Sequence, residues 1–145
     1  MSVPFARSLG LVFLTYRSLS GPILPTEHGL EAELGDDWRM WQWMNTHLPD
    51  DSVVVTFEPR TYYLQQQVIP GNSQLMADTF GTNTTVAVAA AKAAGAQYVL
   101  DTPWVRTVEV IRPPYERSLL VDALDDPGLC LLLHRKGQVR VFLLL

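Results

Sequence analysis

The chain has 145 residues, of which 48% are hydrophobic and 18% are charged, and its formal net charge is −4. This length suits one domain, and the charged share is below the roughly 25% that is typical of soluble domains. The basic residues are scattered singly, which excludes the basic patch that a nucleic-acid partner requires. The single cysteine, Cys130, excludes an internal disulfide, and without a Cys/His cluster no metal site is predicted.

The N-terminal part of the chain is predicted to precede the folded domain. Ser8 to Tyr16 is an apolar run with Arg7 before it and Arg17 after it. The run is shorter than the roughly 18–20 residues of a membrane helix. It suits the start of a secretory signal, the end of a longer membrane helix, or a buried element of the domain. Residues 18–35 are rich in Pro, Gly and Ser and are predicted to be a linker, so the folded domain is predicted to span residues 36–145.

A tryptophan-rich helix opens this domain. Apolar residues recur at helical spacing from Trp38 to Leu48, and Pro49 ends the pattern. Three tryptophans fall close together in it, Trp38, Trp41 and Trp43. The simplest interpretation is that one side of the helix packs on a sheet. The alternative is a face for a membrane surface or a protein partner, because indole suits the boundary between water and lipid.

Strands and helices alternate in the rest of the chain. The β-branched run Val53–Phe57 suits a strand that is buried on both faces. The elements predicted after it are a short helix Arg60–Gln67, a brief strand Val68–Ile69, a short helix Ser73–Phe80, a helix Thr84–Ala94, a strand Gln97–Asp101, a helix Tyr115–Leu124 and a hairpin of Leu129–His134 and Gln138–Leu144. The order from Val53 to Asp101 predicts a right-handed parallel crossover. The predicted fold class is therefore α/β, a three-layer Rossmann-like mixed sheet with a parallel core and a C-terminal antiparallel hairpin.

Charged residues follow two of the predicted strands. In open α/β sheets, ligands bind beyond the carboxyl ends of the strands, and here Glu58-Pro59-Arg60 and Asp101-Thr102-Pro103 occupy those ends. Glu58 and Asp101 can form a pair of carboxylates, and Arg60 can hold an anion. The alternative is an ordinary surface ion pair, worth about 0–1 kcal/mol. The sequence has neither a glycine-rich phosphate loop nor a nucleophile elbow, so no cofactor and no catalytic residue are predicted.

Several segments occur in an order that is typical of one family. They are Trp41 to Asn45, Leu48 to Val55, Arg60 to Leu64, Ala94 to Leu100, and the closing hairpin from Gly128 to Leu143. In this order they resemble the C-terminal soluble region of polytopic membrane glycosyltransferases. These are the dolichyl-phosphate-mannose protein mannosyltransferase-like enzymes of the GT-C superfamily. The resemblance covers about residues 37–145, and the order of the segments is its main basis.

The resemblance implies an extracytoplasmic domain that follows the last transmembrane helix. Phe5–Tyr16 would be the remainder of that helix and residues 18–35 the stalk. The family's catalytic acidic residue and its polyprenyl-phosphate sugar site lie in the membrane portion, so no catalytic residue is carried over to this chain. The resulting hypothesis is a non-catalytic, membrane-associated accessory domain, a fragment or split gene product, whose partner is the membrane surface or a membrane glycosyltransferase portion. Expressed alone without a signal, the chain would be cytoplasmic.

Two other functions fit the residues. One is a protein-interaction module that uses the face of Trp38, Trp41 and Trp43. The other is a free-standing enzyme that uses Glu58, Arg60 and Asp101 at the strand ends. The enzyme requires these three side chains to converge on one pocket, and the interaction module requires an exposed tryptophan face. The oligomeric state is left open by the sequence.

Overall fold

The computed structural model describes residues 27–81, 83–103, 111–112 and 116–145. The predictions for the N-terminal apolar run and for most of the segment between Pro103 and Tyr115 lie outside these residues. The helices are α1 Glu27–Leu34, α2 Asp36–His47, a 3-10 helix Gln74–Phe80, α3 Thr84–Ala93 and α4 Leu119–Ala123. The strands are β1 Val53–Thr56, β2 Gln67–Pro70, β3 Tyr98–Asp101, β4 Ile111–Arg112, β5 Glu116–Arg117, β6 Cys130–Lys136 and β7 Val139–Leu144.

Five of these strands form one open mixed sheet in the order β2-β1-β3-β7-β6. β1 is parallel to both β2 and β3, and β7 is antiparallel to both β3 and β6. β4 and β5 pair separately as a short antiparallel ribbon. The predicted fold class, with its parallel core, its crossover from β1 to β3 and its C-terminal antiparallel hairpin, is confirmed.

Helices cover both faces of the sheet because its central strands are apolar on both sides. Val54 and Leu100 point to a core that includes Trp41 and Met44 of α2. Their neighbours along the strands, such as Val55, point to a second core on the side of α3 and α4. Because side chains alternate along a strand, a continuous apolar run contributes residues to both cores. This arrangement gives the three layers, with α2 on one side and α3 and α4 on the other.

Part of the predicted linker is helical. Residues Glu27–Leu34 form α1, although their Gly- and Pro-rich context predicts a linker up to Gly35. Leu30 is buried in the α2-side core, and Leu34 packs against the same core. Burial of these leucines against α2 stabilises a helix that has little periodicity of its own.

The predicted helix Arg60–Gln67 is wrong. This segment is an irregular connection between β1 and β2. The side-chain amide of Asn45 donates to the carbonyl of Tyr63 at 2.7 Å, and its oxygen accepts from the Gln65 amide at 2.9 Å. These bonds from α2 satisfy backbone groups that a helix would otherwise pair internally.

The predicted helix Tyr115–Leu124 begins later than expected. Ser118 caps the observed helix Leu119–Ala123, and its hydroxyl accepts from the Leu120 amide at 3.3 Å. Glu116 and Arg117 instead form β5 and pair with β4. A serine that can satisfy an orphan amide is a strong helix start, and it places the boundary after the strand residues.

None of the helices in the described part of the chain has the length and the hydropathy that crossing a membrane requires.

Candidate functional site at the switch point of the sheet

The carboxyl ends of β1 and β3 mark the switch point of the sheet. The chain leaves β1 to form β2 on one side, whereas β3 is followed on its other side by β7 and β6. In open α/β sheets the crevice at such a point is the preferred place for a ligand. Here Glu58 lies in the turn after β1 and Thr102 in the turn after β3.

Glu58 is the centre of this site, and its side chain is 0% exposed. Its Oε1 accepts from Arg60 Nε at 2.6 Å and from the Arg60 amide at 3.1 Å. Its Oε2 accepts from Arg60 Nη2 and from Thr102 Oγ1, both at 3.2 Å. A carboxylate offers about four acceptor positions, so these bonds occupy Glu58. The geometry makes it a holder of Arg60 and leaves it no free lone pair for general-base chemistry.

Thr56 fixes the turn that carries Glu58. Its hydroxyl donates to the carbonyl of Leu100 on β3 at 3.0 Å and accepts from the Glu58 amide at 3.0 Å. Thr56 is buried, and a buried hydroxyl that both donates and accepts locks its surroundings in one arrangement. The two strands and the turn are therefore held together by the protein's own hydrogen bonds.

Arg60 joins this turn to the start of α2. Its Nη2 lies 2.7 Å from Asp37 Oδ2, and the two side chains are 39% and 16% exposed. The hydrogen bond to Glu58 is the main cause that raises the pKa of Arg60. Two carboxylates against one guanidinium leave one net negative charge. An anion would be repelled by this group, so the predicted role of Arg60 as an anion holder does not fit the geometry.

Asp37 is the member of the group whose ionised form is unfavourable. Burial raises its pKa above the ordinary 3.8, and this effect outweighs the attraction of Arg60, while the nearby Glu58 carboxylate raises it further. Its Oδ1 is buried and has no hydrogen-bond partner among the described residues. The charge on Asp37 therefore costs free energy in the folded state.

Asp101 does not join Glu58. Both Nε and Nη2 of Arg140 donate to its Oδ2, at 2.9 and 2.7 Å. In the register of β3 and β7, Asp101 lies opposite Arg140, and the Arg140 guanidinium lies 4.9 Å from the ring centre of Phe142 in the α3-side core. Asp101 thus projects to the α3 side, whereas Glu58 is bonded to the next residue, Thr102. The hydrogen bonds described for these residues therefore do not join Asp101 to Glu58 or Arg60.

A cavity of about 400 Å³ opens beside Glu58 at the ends of β1 and β2. It is lined by Thr56, Phe57, Glu58, Pro59, Thr61, Val68, Pro70 and Asn72. Glu58 is the one ionisable residue in this lining, and it belongs to the group of Glu58, Arg60 and Asp37, which carries one net negative charge. The cavity therefore suits an uncharged group better than a phosphate.

The three tryptophans of α2 divide into two kinds. Trp38 and Trp41 are buried in the α2-side core, where Tyr63 lies 5.4 Å from the ring of Trp38 and 5.8 Å from that of Trp41. Trp43 is only partly buried, and its ring stacks on His47 and on His134. A membrane or partner face made of all three tryptophans does not fit this arrangement, because two of them pack on the sheet.

Three residues of the switch-point site were not predicted as site residues, namely Asp37, Thr56 and Thr102. Asp37 and Arg60 are 23 positions apart, and Thr102 and Glu58 are 44 apart. The one available signal was the position of Thr102 after a predicted strand, next to Asp101. No local pattern indicates that Asp37, at the start of a helix, reaches Arg60.

No metal centre is formed by the described residues, since no three His, Cys, Asp or Glu side chains lie together in a suitable group. Cys130 is buried, and burial raises the pKa of its thiol to about 11, with a further contribution from Asp126. A thiol with such a high pKa is a poor nucleophile at neutral pH. Cys130 therefore behaves as a small apolar residue of the core.

Comparison with known proteins gives a likeness in fold. No protein-family model matches the chain, and no curated protein matches it either. The chain is similar to the crystal structure of the C-terminal globular domain of oligosaccharyltransferase from Archaeoglobus fulgidus, with a TM-score of 0.51 and 17% sequence identity. The likeness covers 77% of this chain and 97% of that one. At this identity it establishes a shared fold.

Proposed function

We propose that this chain is an accessory domain of a membrane glycosyltransferase and acts on the extracytoplasmic side of the membrane without a catalytic centre of its own. The observation that supports this most directly is the fold. It matches nearly the whole length of a globular domain that belongs to an oligosaccharyltransferase. The order of the sequence segments, which resembles the C-terminal region of membrane mannosyltransferases, points to the same class of enzyme.

The chemistry of the switch point supports a non-catalytic role. Every acceptor position of Glu58 is engaged. Arg60 is neutralised by two carboxylates, and Asp101 is held by Arg140 on the other side of the sheet. A general acid or base must reach a substrate proton with an unoccupied group. This arrangement supports an accessory role over a free-standing enzyme.

Contact with a partner at the switch point would go through Arg60. Its side chain is 39% exposed, whereas Glu58 is fully buried. Glu58, Asp37 and Thr102 would act by positioning the guanidinium. Asp101 would act in the same way on Arg140, whose side chain is 19% exposed. The partner in this proposal is the membrane portion of a glycosyltransferase or the adjoining membrane surface.

The test uses the full chain in two experiments. In the first, flotation is measured with neutral phospholipid vesicles. In the second, the tagged chain is purified from membranes, and the associated proteins are identified by mass spectrometry. We expect recovery of a polytopic membrane glycosyltransferase or flotation with the vesicles. A chain that shows neither would overturn the proposal.

Two matched variants locate the contact. Arg60→Gln removes the exposed guanidinium of the switch point, whereas Arg135→Gln removes an exposed guanidinium on the edge strand β6. Association through the switch point is reduced by the first variant and not by the second. Equal losses in both variants would indicate a general effect of charge and would contradict a contact at Arg60.

A further inference from the structure

A β-bulge sets the direction of His134 on the edge strand. Leu132 pairs with Phe142, and the next residue in register, His134, pairs with Val141, so Leu133 is an extra residue. Phe142 belongs to the α3-side core and Val141 to the α2-side core. Because side chains alternate along a strand, regular pairing would point His134 away from α2. The bulge turns it toward α2, and such re-aiming is a known use of bulges.

The bulge brings His134 onto Trp43. The two rings are 4.2 Å apart between centroids and are tilted by only 2°. Trp43 also stacks on His47, one helical turn further along α2, at 4.6 Å and 13°. Leu133 and Trp43 both pack against the α2-side core. The stack thus connects the carboxyl-terminal half of α2 to the edge of the sheet.

The two imidazoles differ in their hydrogen bonds. Nδ1 of His47 lies 2.9 Å from the carbonyl oxygen of Trp43, which accepts its proton. Nε2 of His134 is buried and has no hydrogen-bond partner among the described residues. A proton on His134 would therefore place a charged N–H donor where no described acceptor receives it, which is costly.

The charges around His134 increase this cost. Burial, the ammonium of Lys136 on the same strand, and His47 lower the pKa of His134, in that order. In the groove where Trp43 and Lys136 meet, the other charged residues are Glu31 of α1 and Arg39 of α2, and they are bonded to each other at 3.0 Å. Arg135 lies opposite Arg140, on the α3 side of the sheet. The three β7 residues on the α2 side, Val139, Val141 and Leu143, carry no charge.

We propose that Trp43 and His134 form an acid-labile latch that joins α2 to the edge strand β6. The latch is closed while His134 is neutral and opens when His134 takes up a proton. The open state binds this proton near the ordinary pKa of 6.5, whereas the closed state binds it only at lower pH. The closed latch is therefore fully stable above pH 6.5 and loses stability as the pH falls below that value.

The first experiment needs no substitution. Titration of the full chain by NMR follows the His134 ring protons and the Trp43 indole N–H between pH 8 and pH 4.5. If the latch exists, the midpoint of the His134 titration lies below pH 6.5, and the Trp43 signal changes at the same pH. Amide exchange in β6, corrected for the intrinsic effect of pH, should rise by about threefold or more as the pH falls through that midpoint. A His134 midpoint at or above pH 6.5 would overturn the proposal. A Trp43 signal that does not change at this midpoint would overturn it as well.

Two variants separate the latch from general acid effects. His134→Gln has no titrating ring, so the extra exchange in β6 at pH 5 should disappear relative to pH 7.5. His47→Gln is the matched control on the other ring that stacks on Trp43, and the extra exchange should remain. If both variants keep the same acid response as the unchanged protein, the response comes from other groups and the proposal fails.

Discussion

The hydroxyl of Thr102 donates a hydrogen bond across 3.2 Å to the buried carboxylate of Glu58. The two residues are 44 positions apart and follow two neighbouring parallel strands. Their contact closes the switch point of the sheet, and it leaves the remaining acceptor positions of Glu58 to hold Arg60. The place where α/β sheets commonly receive ligands is here filled by the protein's own side chains.

Replacing Glu58 by Gln should destabilise the fold. The variant loses the charge-assisted pair with Arg60 and leaves a guanidinium facing Asp37 alone. Arg60 is 39% exposed, and water therefore compensates part of the loss. We expect the free energy of unfolding to fall by about 1–3 kcal/mol, measured by urea unfolding at pH 7. Thr102→Val removes one neutral donor and should cost about 1 kcal/mol. An unchanged unfolding midpoint in Glu58→Gln would contradict the role assigned to this carboxylate.

Replacing Asp37 by Asn, in contrast, should not lower the stability of the fold at pH 7. Burial raises the pKa of Asp37 above 3.8 in the folded state, so its ionised form is unfavourable there. At pH 7 the Asn variant should be as stable as the unchanged protein or more stable. As the pH falls toward 4, the folded protein takes up the Asp37 proton before the unfolded chain does. The free energy of unfolding of the unchanged protein therefore rises relative to that of the variant. Urea unfolding at both pH values measures this difference. A variant that is clearly less stable at pH 7 would show that the Arg60 pair dominates instead.

The thiol of Cys130 should resist modification in the folded protein. Its pKa is raised to about 11 and its side chain is buried, so little thiolate is present or accessible at pH 8. A chromogenic disulfide reagent should react slowly under native conditions and rapidly in urea. Cys130 is the single cysteine of the chain, and the signal therefore has one source. Rapid native reaction would place the thiol at the surface.

Gly95 should tolerate alanine less well than Gly137 does. Both have positive φ, at 101° and 60°, and the left-handed region that an L-residue can enter is centred near about +57°. Alanine at Gly137 therefore costs roughly 1–2 kcal/mol from backbone strain, and alanine at Gly95, which lies further from this region, costs more. A side chain at Gly137 would meet the Asp36 carboxylate, but this is the exposed end of a flexible side chain that can turn aside. Thermal unfolding of the two variants should show the larger loss for Gly95→Ala.

A second substitution tests the role of Asp36. In an Asp36→Ala background the carboxylate is absent, and the cost of Gly137→Ala should stay unchanged, because strain in the turn accounts for it. Asp36 is exposed, and its bond to Arg39 at 3.0 Å contributes little, so the background variant should itself fold normally. A clearly smaller cost in this background would mean that the carboxylate obstructs the added side chain.

Local patterns predicted most of the regular structure. The runs that give β1 and β3 are apolar throughout, and such runs suit strands buried on both faces. The helix Thr84–Ala94 was predicted from its alanine-rich run, and the side chain of Asn83 caps it by accepting from the Val86 amide at 2.8 Å. The segment after Arg60 was mispredicted as a helix because its backbone is satisfied by Asn45, a residue of another element. Propensity is a weak guide wherever such tertiary bonds are available.

The sequence by itself determined the fold class and placed Glu58 and Arg60 at a strand end, because periodicity and turn residues act over a few positions. Only the tertiary structure decided which partners these side chains meet. Asp101 faces Arg140 instead of Glu58 because the register of β3 and β7 places these two residues opposite each other. His134 faces Trp43 because the extra residue Leu133 turns it to the α2 side of the sheet. A shift of one residue reverses that choice, and no local pattern in the chain encodes the shift.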